Sequence, residues 1–132
     1  MTLLDANVLM YAVGREHPHK AVSARLLEQI GAGDREAAID AEVLQEILHR
    51  YRSLGRWPEG VEIYRNARLL FERPLVITSE VMDQTVVLME RYAFLTTRDA
   101  VHAAVVQVYG LESICSFDRD FDRIVSLKRI EP

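Results

Sequence analysis

Four carboxylates stand among apolar residues. Asp5 lies between Leu4 and Ala6, and Glu46 beside Val43, Leu44 and Ile47. Asp99 precedes Ala100 and Val101, and Asp118 follows the run Ile114-Cys115-Ser116-Phe117. An ionised carboxylate left unpaired against a core is costly and takes up a proton instead, so something positive must answer these acids. Few arginines flank Asp5, whereas one hard divalent cation with oxygen ligands would satisfy several carboxylates together. The chemistry open to such a set is that of a buried acidic metal site. Each residue also has a plainer use. Asp99, with Thr97 as cap, would complement a helix dipole, and Asp5 could hydrogen-bond the turn that follows it. Glu46 could pair with Arg50 four residues on. Asp118 opens the run Asp118-Arg119-Asp120-Phe121-Asp122, with Asp122 the reserve candidate for the fourth acid. His102 and His49 read as core or surface histidines, because a hard cation prefers oxygen.

The elements that must position these acids alternate between strand and helix. Thr2-Leu3-Leu4 reads as a short buried strand with Asp5 at its carboxyl end, followed by a helical turn through Val8-Leu9-Met10-Tyr11. His17-Pro18 opens an amphipathic helix closed by Gly31 and Gly33. A strand Ala37-Ala38-Ile39 comes next, and Asp40 caps the helix that carries Glu46. After Trp57-Pro58 a further helix runs to Pro74, followed by a strand Leu75-Val76-Ile77. Ser79 caps the next helix, which ends near Tyr92. Thr97 begins one that is apolar nearly all round and therefore buried. Strands at Ser113 to Phe117 and around Ser126 to Ile130 close the chain. Strands separated by helices of a dozen residues or more predict an α/β fold on a mainly parallel sheet. In such sheets ligands bind beyond the carboxyl ends of the strands, where Asp5 and Asp118 stand.

At 132 residues and 49% hydrophobic composition, residues 1–132 are expected to form a single domain with a proper core. The lone cysteine, Cys115, has no intramolecular partner and suits a reducing cytoplasm. No run approaches the roughly 18 to 20 apolar residues of a membrane span, and the N-terminus lacks a signal-peptide layout. The expectation is a cytoplasmic protein without a membrane partner. The net charge of −4 argues against binding phosphates, but residues 47–73 hold six arginines (Arg50, Arg52, Arg56, Arg65, Arg68, Arg73) against three glutamates (Glu59, Glu62, Glu72). The middle of the chain is locally basic.

The strings Leu3-Leu4-Asp5-Ala6-Asn7-Val8-Leu9, Val43-Leu44-Gln45-Glu46-Ile47, Thr97-Arg98-Asp99-Ala100-Val101-His102-Ala103-Ala104 and Ser116-Phe117-Asp118-Arg119-Asp120-Phe121 together resemble PIN domains, in order and spacing, over nearly the whole chain. The likeness is closest to the VapC-type toxins of toxin–antitoxin pairs. It implies a three-layer α/β/α fold with a short, mainly parallel sheet of four to five strands. It also implies a Mg²⁺- or Mn²⁺-dependent ribonuclease that inhibits translation, a homodimer, and a VapB-like antitoxin that blocks the site. Asp5, Glu46, Asp99 and Asp118 would be catalytic. Asp5 and Asp118 would bind the metal directly, Asp99 would share it or bind through water, and Glu46 would orient or deprotonate the attacking water. Asn7, Asp122, Arg50 and Arg119 would support the acids or touch RNA. Two positions depart from the family pattern: Asp40 stands where many relatives have Ser or Thr, and Ser116 replaces the commoner Thr.

Three other readings bear on function. A phosphoacceptor receiver, a regulatory binding module, wants paired acids after its first strand, and Asp5 stands alone. An aspartate-nucleophile phosphatase needs a second Asp where this chain has Asn7. A PIN nuclease that processes host RNA would share the same acids and differ in biological role.

Overall fold

Leu3 and Leu4 are adjacent in the chain and wholly buried, yet they enter different cores, because successive side chains of a strand point to opposite faces. The computed structural model describes residues 1–132. Its elements are β1 (Thr2–Leu4), α1 (Ala6–Val13), α2 (Lys20–Gly31), β2 (Ala37–Ala38), α3 (Ala41–Ser53), α4 (Trp57–Leu70), α5 (Ser79–Arg91), α6 (Thr97–Val108), β3 (Ser113–Cys115), a 3₁₀ helix (Arg119–Arg123) and β4 (Arg129–Ile130). The four strands form one parallel sheet in the order β2-β1-β3-β4.

Leu3 and Ile114 pack with α5, α6, Phe121 and Ile124 on one face. Leu4 and Cys115 pack with α1, α2, α3 and α4 on the other. The result is the expected three-layer α/β/α arrangement, with six helices and a short sheet. In α6 the seven residues from Ala100 to Val106 are all buried, as its all-round apolar sequence predicts. No helix is long and apolar enough to cross a membrane.

Some element ends differ from the sequence reading, each for a local reason. Leu75 makes one parallel bridge to Asp40 and no strand. Pro74 brings no N–H and Val76 is 64% exposed, so little continues the ladder. The sheet therefore has four strands and no fifth. The last strand begins at Arg129, because the preceding residues form the 3₁₀ helix and a turn closed by Leu127 N–H donating to Ile124 O. Helices α5 and α6 are capped by Thr78 and Thr96 in place of Ser79 and Thr97, each hydroxyl accepting from the backbone N–H three residues on.

The sheet register sets the site. Leu4 pairs with Cys115, so one step later Asp5 and Ser116 leave β1 and β3 side by side. On the other side α3, which carries Glu46, is seated by α4. Gly60 of α4 meets Tyr51 of α3 so closely that a Cβ there would lie 2.5 Å from the Tyr51 Cβ. A side chain at this contact forces the helices apart. Gly60→Ala is expected to lower stability in urea unfolding by about 1–3 kcal/mol despite the better helix propensity of alanine. An unchanged midpoint would mean that α4 does not fix the position of α3.

Candidate active site

Asp5 is 4% exposed, and both its carboxylate oxygens are engaged. Its Oδ1 accepts from the Ala6 N–H at 2.7 Å, which starts α1. Its Oδ2 accepts from Ser116 Oγ–H at 2.6 Å and from Asn7 Nδ2–H at 3.3 Å. Asn7 also donates to Ser116 Oγ at 3.1 Å. Ser116 in turn accepts from the Asp118 N–H at 3.0 Å, and so ties the end of β3 to the end of β1.

Beneath these groups lies a polar pair that the sequence reading did not assemble. His102, in the middle of α6, is fully buried, and its Nδ1 lies 2.7 Å from Asp40 Oδ2. The other oxygen of Asp40 accepts the Val43 N–H at 2.9 Å, so the residue does cap α3, as expected. Its second role was hidden. His102 Nε2 has no hydrogen-bond partner and points toward Glu46 Oε1 at 3.6 Å and Asp5 Oδ1 at 3.9 Å, too long for hydrogen bonds but close enough for strong charge attraction. Burial alone favours the neutral ring. The carboxylate of Asp40, followed by Glu46 and Asp5, outweighs that and holds His102 protonated well above the ordinary histidine range.

The acids press on one another. Burial first, then the charges of Glu46 and Asp99, raise Asp5 to about 6 even though His102 and Ser116 pull it down. Burial and then Asp118 raise Asp99. Asp5, Glu46 and His102 offer ligand atoms that all lie within 4.8 Å of one another. Burial disfavours the charge on Asp5, and its carboxylate and that of Glu46 carry more negative charge than the one imidazolium beneath them offsets, so the pocket fits a divalent cation bound by carboxylate oxygens, with the protonated Nε2 facing those oxygens and not the ion.

The expected residues are distributed unequally. Glu46 offers an oxygen within 4.8 Å of the Asp5 ligand atom, and the alternative pairing with Arg50 does not form. Asp99 and Asp118 border the cluster outside its tightest part. Asp118 also caps the 3₁₀ helix by accepting the Asp120 N–H at 2.9 Å. Asp122 stands apart, because both its oxygens accept from Arg129, at 2.9 and 3.2 Å. That ion pair accounts for Asp122 structurally. Arg119 is exposed and makes no ion pair, and Arg50 is likewise exposed and free of one. Arg52 is occupied over the Trp57 ring at 4.1 Å. The one available signal for the Asp40–His102 pair was a histidine on an all-apolar helix, which must find a buried acceptor; nothing in the chain said that it lay 62 residues away.

Two measurements check this electrostatic account. Raised from 3.8 to about 6, Asp5 costs the metal-free protein little below pH 4, and the cost builds as pH rises from 4 to 6 and is level above that. With metal chelated, Asp5→Asn should therefore be more stable than the unsubstituted chain at pH 7.5, by about 2–3 kcal/mol, and equal to it near pH 4. Asp40→Asn keeps an oxygen for the cap but loses the charge facing His102. It should lower the imidazole pKa read by NMR and cost about 3 kcal/mol. An imidazole that titrates as before would dismiss Asp40 as its anchor.

Comparison with known proteins agrees with this geometry. The family model described as the PIN domain matches residues 2–127. Ribonuclease VapC13 of Mycobacterium tuberculosis is 38% identical over 131 residues, which span 98% of this chain and 99% of the relative. Among solved structures, the Mycobacterium tuberculosis toxin VapC20, described as sarcin-ricin loop cleaving, has a TM-score of 0.80 at 17% identity and covers 100% of each chain. VapBC2 from Rickettsia felis, solved bound to a DNA fragment from its promoter, has a TM-score of 0.77 at 15% identity, over 98% of this chain and 97% of that one. At such identities these two structures speak for the fold. Family model, full-length relative and layered sheet coincide, and the chain belongs to the PIN-domain family, among its VapC-type members.

Proposed function

We propose that this chain is a Mg²⁺- or Mn²⁺-dependent endoribonuclease and the toxin of a VapBC-type pair, acting in the cytoplasm as a single PIN domain. The observation that carries the reading is the gathering of Asp5 and Glu46 over a buried imidazolium at the carboxyl ends of parallel strands, with Asp99 and Asp118 beside them. The 38% identity to a ribonuclease over nearly its full length supports the substrate class.

Asp5, Asp99 and Asp118 would hold the metal. When bound, such an ion supplies positive charge to the phosphate and makes the attacking water more acidic. The chain's own groups do the rest. Glu46 accepts the proton of that water and orients it for in-line approach. Asn7 and Ser116 hold Asp5 Oδ2 in one direction, so the carboxylate needs no rearrangement during the reaction. His102 keeps the negative cluster from expelling its own charges. Arg50 and Arg119, free of acidic partners, receive RNA phosphates. A VapB-like antitoxin would cover this opening, and a homodimer would bury exposed apolar side chains such as Val86 and Val87, each 54% exposed. The family resemblance supports both partners.

The purified chain should cleave RNA in Mg²⁺ or Mn²⁺ and stop when the metal is chelated. Glu46→Gln should lower kcat by about 10²–10⁴-fold, and Asp5→Asn should abolish metal-dependent cleavage. Arg50→Ala and Arg119→Ala should each flatten the salt dependence of RNA binding by about one unit of slope. Expression without an antitoxin should arrest growth, and Asp5→Asn should relieve the arrest. Cleavage that persists in chelator, or growth unaffected by the active chain, would reject the proposal.

A further inference from the structure

We propose that the pocket beside the acids stacks one unpaired nucleobase of the RNA, adjoining the phosphate that is cut, on the ring of His17 backed by Tyr11. The inference rests on the ribonuclease reading and specifies how that site grips its substrate. The pocket has a volume of about 340 Å³ and shares Asn7 and Glu46 with the acid site, so whatever fills it lies next to the reacting phosphate. That size is at the lower end for ligand clefts and suits a single base, not a helix of RNA.

Its wall is aromatic and already ordered. Tyr11 follows Asn7 by about one turn of α1 and stacks on His17, with ring centroids 4.2 Å apart and planes at 27°. A second stack, His19 on Phe117 at 4.0 Å and 9°, meets Tyr11 edge-on through Phe117 at 5.5 Å. Phe117 lies between Ser116 and Asp118, so the four rings are anchored to the strand end that carries the acids. His17 is exposed but not free. The His19 N–H donates to its Nδ1 at 3.1 Å, which fixes the ring and leaves Nε2 as the side that can donate. One face of His17 rests on Tyr11, His19 lies tilted beside it at 5.0 Å, and the exposed ring lines the pocket. An exposed ring held still by a hydrogen bond and a stack loses little freedom on binding a flat partner, and every base presents a π-face.

The charges around the pocket select a phosphate-bearing partner. Arg15 and Arg56 share the one carboxylate of Glu59, at 3.0 Å for each of the Arg15 Nη2 and Arg56 Nε contacts, which holds both in place and offsets one of their two charges. Arg50, in the same wall, has no carboxylate and is left for the phosphate attached to the stacked base. A base on the rings with its phosphate on Arg50 leads the strand from this pocket to Asp5 and Glu46.

The test uses a single-stranded oligoribonucleotide that the full chain cleaves in Mg²⁺ or Mn²⁺, with each nucleotide flanking the cut replaced in turn by an abasic ribose. Binding is measured by fluorescence anisotropy with Ca²⁺ in place of Mg²⁺. His17→Ala should weaken binding about tenfold, and His17→Phe should restore most of it. One abasic position should cost the unsubstituted chain a similar factor and cost His17→Ala almost nothing further. Equal sensitivity to that abasic site in both proteins, or RNA binding unchanged in His17→Ala, would overturn the nucleobase site while leaving the ribonuclease intact. Failure of the unsubstituted chain to cut any RNA overturns the ribonuclease reading, and this inference falls with it.

Discussion

The 2.7 Å contact between Asp40 and His102 joins the end of β2 to the middle of α6 and sets a positive charge beneath acids that otherwise repel one another. Both side chains are wholly buried, so neither can borrow water for compensation. Each is tolerable only because of the other, and a buried pair of this kind is costly to break from either side. The pair also spans the molecule: β2 and α3 belong to one side of the chain's layout, α6 to the other, and the imidazole is the polar link that passes between them. Asp40 does this while capping α3, so the helix that carries Glu46 is indexed directly against the ring that faces Glu46.

This arrangement explains how the fold tolerates its own site. Burial and acidic neighbours raise Asp5 to about 6, so in the absence of a cation its charge at neutral pH is held at a cost to the fold. The imidazolium offsets part of the excess negative charge. It does not remove the excess, and what is left is the driving force for taking up a divalent ion. Stability and readiness for metal are thus opposed in the same few side chains, the usual condition of an active site built on a rigid scaffold. The scaffold is rigid because both faces of the short parallel sheet are covered by packed helices.

Away from the acids, the arginines that make the middle of the chain basic do not act as one surface. Arg52 lies on Trp57, while Arg56 and Arg15 are committed to Glu59. Arg50 is the one of this group that remains open beside the acids. Of the six arginines between residues 47 and 73 only Arg56 is ion-paired, so position more than pairing decides which of them is available beside the acids. The aromatic rings next to Arg50 had no counterpart in the residue pattern, since Phe117 is 106 residues from Tyr11 and contributes through a stack.

The sequence by itself determined the α/β class, the buried α6, and the four acids set among apolar residues, because apolar periodicity and the cost of a carboxylate in apolar surroundings are local properties that a chain displays in order. It also carried the family resemblance, whose signal is order and spacing. Only the tertiary structure decided that Leu75 makes a bridge and not a strand, that Asp122 belongs to Arg129, that Glu46 faces His102 and not Arg50, and that Asp40 has a second partner. Each of those outcomes is a choice among competing partners far apart in the chain. Such choices depend on distance and burial, which exist only once the sheet register has brought the strand ends together.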